Sequence, residues 1–186
     1  MNRAGYVLAG GRSSRMGRDK ALLPFRGGTL AQAVAVEVAR AAGSATLVGD
    51  PDLYQSLGFP VIADLYPGEG PLGGILTALH HTAAHWNLMI ACDMPAVTGE
   101  FLSELLDAAE RADADALVPA GPSGRPEPLC SVYHQRALPD LEAEFAAGIR
   151  KISQALKAVR IVRLPVLEVS CFQNVNTPEE WSACDR

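Results

Sequence analysis

The chain has few of the features that mark membrane, secreted or nucleic-acid-binding proteins. Its 186 residues hold 16 Lys and Arg against 21 Asp and Glu, a net charge of −5, with no long basic run. This balance argues against general nucleic-acid binding. No window reaches the roughly 18 apolar residues that a membrane-spanning helix needs, and the N-terminus shows no charged-then-apolar signal segment. We therefore expect a cytoplasmic protein with no membrane and no nucleic-acid partner.

Cysteine and histidine show no metal-binding spacing. The cysteines form no CxxC pair and are predicted to be free thiols; they are Cys92, Cys130, Cys171 and Cys184. His81 and His85 are four residues apart, with His80 beside them, but no Glu lies between them as in HExxH. Because the dipole at a helix C-terminus favours His, these histidines are interpreted as structural.

The composition is that of a folded globular protein, with 48% hydrophobic and 20% charged residues. A chain of this length buries a core without disulfides or a structural metal. It contains no internal repeat and no low-complexity linker. We therefore predict one domain over residues 1–186.

The most informative stretch is LAGGRSSRMGRDK, residues 8–20. Its glycines let the backbone approach a ligand closely, and its serines add hydroxyls without bulk. Four basic residues against one acidic residue, 4 − 1, give it a charge of +3 in an acidic chain. These features predict a phosphate cradle, against the alternative of a solvated basic turn. The residues concerned are Gly10, Gly11, Gly17, Ser13, Ser14, Arg12, Arg15, Arg18, Lys20 and Asp19.

Apolar strands alternate with amphipathic helices along the chain. Strands are predicted at residues 5–9, 45–48, 60–63, 88–91, 116–119 and 129–133, with an edge or broken strand at 161–169 around Pro165. Helices are predicted after Thr29, at 52–57, after Gly70, after Thr98, at 135–147, at 149–159 and after Thr177. Thr29 and Gln32 have the spacing of a capping box, with Gly43 as the stop. The pattern predicts an α/β fold, a mostly parallel Rossmann-like sheet with helices on both faces.

Ligands of such sheets bind at the carboxyl ends of the strands. The glycine-rich loop, Asp64 and Asp93 each follow a predicted strand, so they are expected to meet in one crevice. Asp93 is either a Mg²⁺ ligand or a turn-forming aspartate. Asp64 is either a ligand contact or a turn former.

The loop matches neither common phosphate-binding motif. Lys20 is followed by Ala21 rather than Ser or Thr, and the glycines lack GxGxxG spacing. Arg15 and Lys20 could instead neutralise the charge on a departing pyrophosphate. The residues therefore favour phosphoryl or nucleotidyl transfer.

The loop LAGGRSSRMGRDKALL resembles the signature of the MobA-like molybdenum cofactor guanylyltransferases, of the nucleotidyltransferase type. Four later segments resemble that family's motifs in the same order: GPLGGILTAL from Gly70, ACDMP from Ala91, EPLCSVY from Glu127 and NVNTPEE from Asn174. AGG and DK in the loop are closer to the guanylyl branch than to the cytidylyl branch, whose loop reads closer to AAG and PK. The resemblance thus covers nearly the whole chain.

The resemblance implies a GTP site, a Mg²⁺ ligand at Asp93, and Arg15, Lys20 and Asp93 as the catalytic residues. The implied nucleotide-binding residues are Leu8, Ala9, Gly10, Gly11, Lys20, Asp64, Gly74 and Asp93. Candidates for the anionic second substrate are Arg125, Arg150, Lys151, Asn174 and Asn176, although the basic ones could equally be solvated surface charges. One departure concerns base recognition: Val48, Gly49 and Asp50 stand where the family often has an Asn.

The reaction implied is attack of the terminal phosphate of molybdopterin on the α-phosphorus of GTP, which yields the guanine dinucleotide cofactor and pyrophosphate. Such a phosphate is largely anionic at neutral pH, so it needs no strong general base. The expected partners are GTP, molybdopterin, and client molybdoenzymes or their chaperones. Three alternatives remain open: cytidylyl transfer to molybdopterin, a sugar-phosphate acceptor, and a non-catalytic GTP-binding module that delivers the cofactor.

Overall fold

The computed structural model describes residues 2–10, 19–167 and 172. The strands are β1 Arg3–Leu8, β2 Pro24–Phe25, β3 Gly28–Thr29, β4 Thr46–Val48, β5 Val61–Ile62, β6 Trp86–Ala91, β7 Ala116–Ala120, β8 Cys130–His134 and β9 Ile161–Pro165. The α-helices are α1 Leu30–Ala42, α2 Pro51–Tyr54, α3 Pro71–His81, α4 Gly99–Arg111, α5 Leu138–Ala146 and α6 Ile152–Ala155. Short 3₁₀ turns occur at Lys20–Leu22, Gln55–Leu57, Gln135–Ala137 and Leu156–Ala158.

Within these residues a seven-stranded sheet has the order β5-β4-β1-β6-β8-β7-β9. Strand β8 runs antiparallel to β6 and β7, whereas the other neighbours are parallel. This confirms the predicted mostly parallel sheet. The chain passes outward from β1 to β4 and β5, then returns to β6 on the other side of β1. Open α/β sheets bind ligands where the strand order reverses in this way.

Helices cover both faces of the sheet, as predicted. One face packs against α1 and α4 through buried residues such as Val34 and Leu105. The other face packs against α3 and α5, with Ile75 and Leu141 in its core. Burial of these apolar side chains at helical spacing holds each helix on the sheet.

The predicted helix boundaries at α1 are confirmed. Gln32 N donates to Thr29 Oγ1 at 3.3 Å while Thr29 N donates to Gln32 Oε1 at 3.0 Å, which completes the capping box. Gly43 ends the helix at φ 78°, a left-handed conformation that costs glycine little. Thr98 caps α4 by accepting from Phe101 N at 3.3 Å.

One prediction in the second half was wrong in extent. The helix predicted at 149–159 is only α6 followed by a 3₁₀ turn, because Lys151 is extended at ψ 116° and helical geometry starts after it. The helix predicted at 135–147 is confirmed as a 3₁₀ turn that continues directly into α5. The edge position of β9 is confirmed. The continuation at 168–169 and the helix after Thr177 lie outside the described residues.

The β2–β3 hairpin was not predicted. Its two turn residues, Arg26 and Gly27, have φ 46° and φ 80°, as a tight primed turn requires. Strands of two residues carry no periodicity that could reveal them.

Cys92 and Cys130 are buried free thiols, as expected, and the other two cysteines lie outside the described residues. Among the described residues, no group of three or more His, Cys, Asp or Glu side chains is arranged to hold a metal, so the histidines form no such centre there. No helix in the described part of the chain is long and apolar enough to cross a membrane.

Candidate active site

Four neighbouring parallel strands deliver one candidate residue each to the same sheet edge. Gly10, Asp50, Asp64 and Asp93 each lie two residues beyond the last residue of β1, β4, β5 and β6. Backbone hydrogen bonds extend the ladder to this edge: Ala9 N donates to the carbonyl of β4 at 3.0 Å, and Cys92 N donates to the carbonyl of Leu8 at 3.2 Å. The hydrogen bonding of the sheet thus continues to the residues just before Gly10 and Asp93.

A cavity of ≈ 830 Å³ lies on the β4–β5 side of this edge. It is bounded by the ends of β1, β4 and β5, by α2, and by the loop that leads into α3. The described residues that line it include three carboxylates, Asp19, Asp50 and Asp64, and no Lys or Arg. These carboxylates suit a ligand part that donates hydrogen bonds, such as a base or a ribose.

Lys20 and Asp93 supply the charges beside that cavity. Lys20 Nζ lies 3.7 Å from Asp93 Oδ2, and the two side chains are 18% and 21% exposed. Burial raises the pKa of Asp93, and the nearby Lys20 ammonium opposes that shift. The pair places a cation and a hard oxygen donor at the tip of β6.

Asp64 is tied to α3. Asp64 Oδ1 lies 2.9 Å from Thr77 Oγ1 and accepts from Tyr66 N at 2.9 Å. Leu65 N donates to Thr77 Oγ1 at 3.0 Å. Asp64 thus organises the loop leading to α3 while its carboxylate lines the cavity, so both readings of this residue, turn former and candidate ligand contact, remain compatible with its position.

Gly10 and Gly74 occupy different positions. Gly10 lines the cavity, where a Cβ would be 4.0 Å from Gly49 Cα. Gly74 is buried in α3, and a Cβ there would lie 3.3 Å from Leu8 Cδ2. Gly74 therefore allows α3 to pack closely on β1, and a nucleotide contact for it stays a prediction.

Cys92, next to Asp93 at the end of β6, is buried. Burial, with smaller contributions from Asp93 and Asp19, raises the pKa of the Cys92 thiol to about 12. A thiol that stays protonated at neutral pH is a poor nucleophile. The site therefore has no cysteine nucleophile at this position.

The comparison with known proteins gives consistent results. The profile of the MobA-like NTP transferase domain matches residues 5–160. A probable molybdenum cofactor guanylyltransferase from Deinococcus radiodurans is 37% identical over 94% of this chain and 89% of that protein. A molybdenum cofactor guanylyltransferase from Vibrio atlanticus is 36% identical over 94% and 91%.

The chain belongs to the MobA-like NTP transferase family. Among solved structures it is similar to the molybdopterin-guanine dinucleotide biosynthesis protein A of Archaeoglobus fulgidus, with a TM-score of 0.83 and 31% identity over 97% of this chain and 96% of that one. The resemblance seen in the loop and in the later motifs is thereby confirmed, together with the nucleotidyltransferase type of the fold.

In this MobA-like chain, Arg125 lies at the same sheet edge as Asp93 but beyond the cavity. Its loop continues from β7, where Glu127 N donates to Pro119 O at 2.9 Å. The Arg125 side chain is 81% exposed, with Nε 3.7 Å from Glu127 Oε1. It is accessible to an anionic acceptor, and that role stays a prediction.

Arg150 makes several contacts within the protein. Its guanidinium carbon lies 3.8 Å from the centroid of the Phe145 ring, and Nη1 donates to Phe145 O at 2.6 Å. Arg150 Nε donates to Glu69 Oε2 at 2.5 Å. The side chain thus links the end of α5 to the cavity loop, whereas Lys151 is exposed before α6. Gly11, Arg15, Asn174 and Asn176 lie outside the described residues.

Sequence reasoning missed the role of Tyr54 and counted Asp19 only as a charge. Tyr54 Oη lies 2.5 Å from Asp19 Oδ2 and 2.8 Å from Ala9 O. The one available signal was an aromatic residue within a short polar helix. That signal does not identify a partner 35 residues away.

Proposed function

We propose that this protein transfers the GMP moiety of GTP to molybdopterin, giving the guanine dinucleotide cofactor and pyrophosphate. The observation that carries the proposal is the convergence of Gly10, Asp50, Asp64 and Asp93 at one sheet edge with Lys20 opposite Asp93. The names of the relatives add the acceptor and the nucleotide.

The acidic cavity is proposed to hold guanosine. A guanine base presents N–H donors on its Watson–Crick edge, and a carboxylate accepts them. Asp50 Oδ1 accepts from Asp52 N at 2.9 Å, and a carboxylate has a second oxygen with which to accept from a ligand. Cytosine would place ring acceptors against the same group, an unfavourable pairing. Asp50 is thus proposed to read the base in place of the Asn often found there.

Lys20 is proposed to bind the phosphates that leave. An oxygen of the molybdopterin phosphate forms a bond to Pα, the bond from Pα to the bridging oxygen of Pβ breaks, and the electron pair departs with pyrophosphate. A fixed ammonium near that oxygen stabilises the developing charge. The incoming phosphate is already anionic, so positioning and charge neutralisation suffice.

Mg²⁺ is proposed as the metal of this reaction. The donor set fits: Asp93 offers a carboxylate at the crevice, and Mg²⁺ in nucleotide sites typically takes one or two carboxylates together with substrate phosphates. Asp93 would hold the ion, which would neutralise phosphate charge when bound. Arg15 and Asn176 stay proposed contributors from their place in the sequence.

The test is an assay of the purified protein with Mg²⁺, molybdopterin and GTP, CTP or ATP, which detects pyrophosphate and identifies the dinucleotide by mass. We expect product with GTP and little with CTP or ATP. Equal product with CTP would contradict guanine selection. Transfer of GMP only to a sugar phosphate would show that molybdopterin is not the acceptor. Tight GTP binding without pyrophosphate release from any acceptor would favour a delivery module.

A further inference from the structure

Tyr54 connects two parts of the active site that are far apart in sequence. Its side chain is 2% exposed. Its hydroxyl contacts Asp19 Oδ2 at 2.5 Å and the carbonyl of Ala9 at 2.8 Å. Burial, reinforced by Asp19, raises the pKa of the Tyr54 phenol, so the group stays a hydrogen-bond donor. Donation to a carboxylate makes a strong hydrogen bond.

Asp19 also restrains the backbone of the turn that contains Lys20. Its other oxygen, Oδ1, accepts from Ala21 N at 2.9 Å and so caps the 3₁₀ turn that starts at Lys20. Both oxygens of Asp19 are therefore held, one by the turn and one by Tyr54. Lys20 follows directly and reaches Asp93 at 3.7 Å.

Tyr54 is itself fixed in place. A Cβ on Gly49 would lie 2.5 Å from Tyr54 Cε2, so the ring lies directly against the backbone at the end of β4. Tyr54 N also donates to Asp50 O at 3.1 Å, which secures the short helix that carries it. Because both the ring and the backbone of Tyr54 are held, its hydroxyl has a defined position from which to hold Asp19.

We propose that Tyr54 is a positioning residue, which holds Asp19 and thereby sets the place of the Lys20 ammonium opposite Asp93. This inference rests on the proposed function for its effect on catalysis, although the contacts themselves do not depend on it. Catalysis requires the ammonium to be at a defined position, and a displacement of about 1 Å can cost roughly 100-fold in rate. Tyr54 and Asp19 also line the cavity, so a smaller effect on GTP binding is expected beside the effect on rate.

The first test is Tyr54→Phe, which keeps the ring and removes the hydroxyl. We expect kcat for pyrophosphate release to fall about 10- to 100-fold, a larger factor than any rise in the KM for GTP. Tyr6→Phe is the matched control, since it removes another buried hydroxyl, which lies 3.2 Å from His81 Nδ1 near the end of α3. It should leave kcat unchanged. A Tyr54→Phe enzyme with kcat within twofold of wild type would overturn the proposal.

A double-mutant cycle separates positioning from general destabilisation. If Tyr54 acts through Asp19, Tyr54→Phe should lower kcat little further in an Asp19→Ala background, because the two changes break the same connection. If the two substitutions acted independently, their fold losses in kcat would multiply. Multiplicative losses would contradict the role assigned to Tyr54.

A readout without catalysis distinguishes failure of this inference from failure of the proposed function. Acetic anhydride labelling of Lys20, followed by mass spectrometry, should be several-fold faster in Tyr54→Phe than in the wild type or Tyr6→Phe. If the wild type releases no pyrophosphate, the proposed function is wrong. Faster labelling of Lys20 in Tyr54→Phe would still support the positioning contact in that case. Unchanged labelling overturns the positioning contact whatever the activity.

Discussion

The Lys20 ammonium and the Asp93 carboxylate face each other at 3.7 Å across the tip of β6. Lys20 stands at the end of the glycine-rich loop, whereas Asp93 follows Cys92 at the end of β6. The cation proposed to bind phosphate and the carboxylate proposed to bind a metal thus lie side by side. The charge neutralisation proposed for the reaction depends on these two side chains.

Lys20→Gln removes the cation and keeps a hydrogen-bonding side chain. We expect kcat to fall about 10²- to 10³-fold, because a fixed charge at the leaving group is lost. Steady-state pyrophosphate release measures it. The exposed Lys157, on the turn before β9, gives a control: Lys157→Gln carries the same charge change and should retain full activity. Comparable losses in both variants would contradict a local role for Lys20.

Asp93→Asn tests the metal ligand. An amide oxygen is a weaker ligand for Mg²⁺ than a carboxylate, so we expect a kcat loss of about 10²-fold or more and a higher Mg²⁺ concentration for half-maximal rate. Titration of pyrophosphate release against Mg²⁺ measures both. An unchanged Mg²⁺ requirement would exclude Asp93 as a ligand.

Asp50→Ala tests how the base is read, because the Asn often found there in the family would keep a hydrogen-bonding side chain. Loss of the carboxylate should lower the ratio of kcat/KM for GTP over CTP about 10- to 100-fold, the range of hydrogen bonds to charged groups. Asp52→Ala is a close control, since Asp52 is exposed on the same helix and does not line the cavity. Equal changes in selectivity for both variants would show that charge alone, not position, matters.

Much of the fold could be predicted because its elements are periodic or capped. Val34 and Val38 repeat at helical spacing on α1, and the boundary residues Thr29 and Gly43 make local interactions that the sequence specifies. The direction of β8 could not be predicted, because its pairing with β6 and β7 depends on the connection chosen in three dimensions. Its alternating character was the only local signal.

Site residues that directly follow a strand could be predicted from the sequence. Contacts that form only in the three-dimensional fold could not. Asp93 follows an apolar strand directly, and parallel strands bring such positions together. Thr77 lies within an apolar helix, and nothing in its neighbours indicates a contact to Asp64. The contact of Tyr54 with Asp19 likewise exists only because β4 lies beside β1.

Arg150 was predicted to contact the second substrate, and its contacts allow that idea to be tested against an alternative. If Arg150 anchors the cavity loop through Glu69, Arg150→Ala and Glu69→Ala should both raise the KM for GTP about two- to fivefold, the range of an exposed ion pair. KM values measured with GTP and with molybdopterin varied separately distinguish the two roles of Arg150. A higher KM for molybdopterin in Arg150→Ala alone would instead support substrate binding.

Asp115 gives the protein a pH-dependent stability at the opposite end of the sheet. Burial favours the neutral acid, but Asp115 Oδ1 accepts from Arg136 Nε at 2.6 Å and Oδ2 accepts from Arg160 N at 2.9 Å. Hydrogen bonds from Arg160 and Arg136 outweigh burial and lower the pKa of Asp115 from 3.8 to about 2. A pKa lower in the folded state stabilises the protein above the unfolded-state pKa and loses that contribution as pH falls through the folded-state value.

Asp115→Asn should therefore lower the free energy of unfolding at pH 7 by about 2 kcal/mol and flatten its decline between about pH 4 and pH 2. Urea unfolding across that range measures both. Asp113 contacts the same arginines, at 3.5 and 3.2 Å, but its side chain is 83% exposed. Because solvent screens an exposed pair, Asp113→Asn should cost less than about 1 kcal/mol. Equal losses in the two variants would contradict the assignment of this pH dependence to the hydrogen bonds of Asp115.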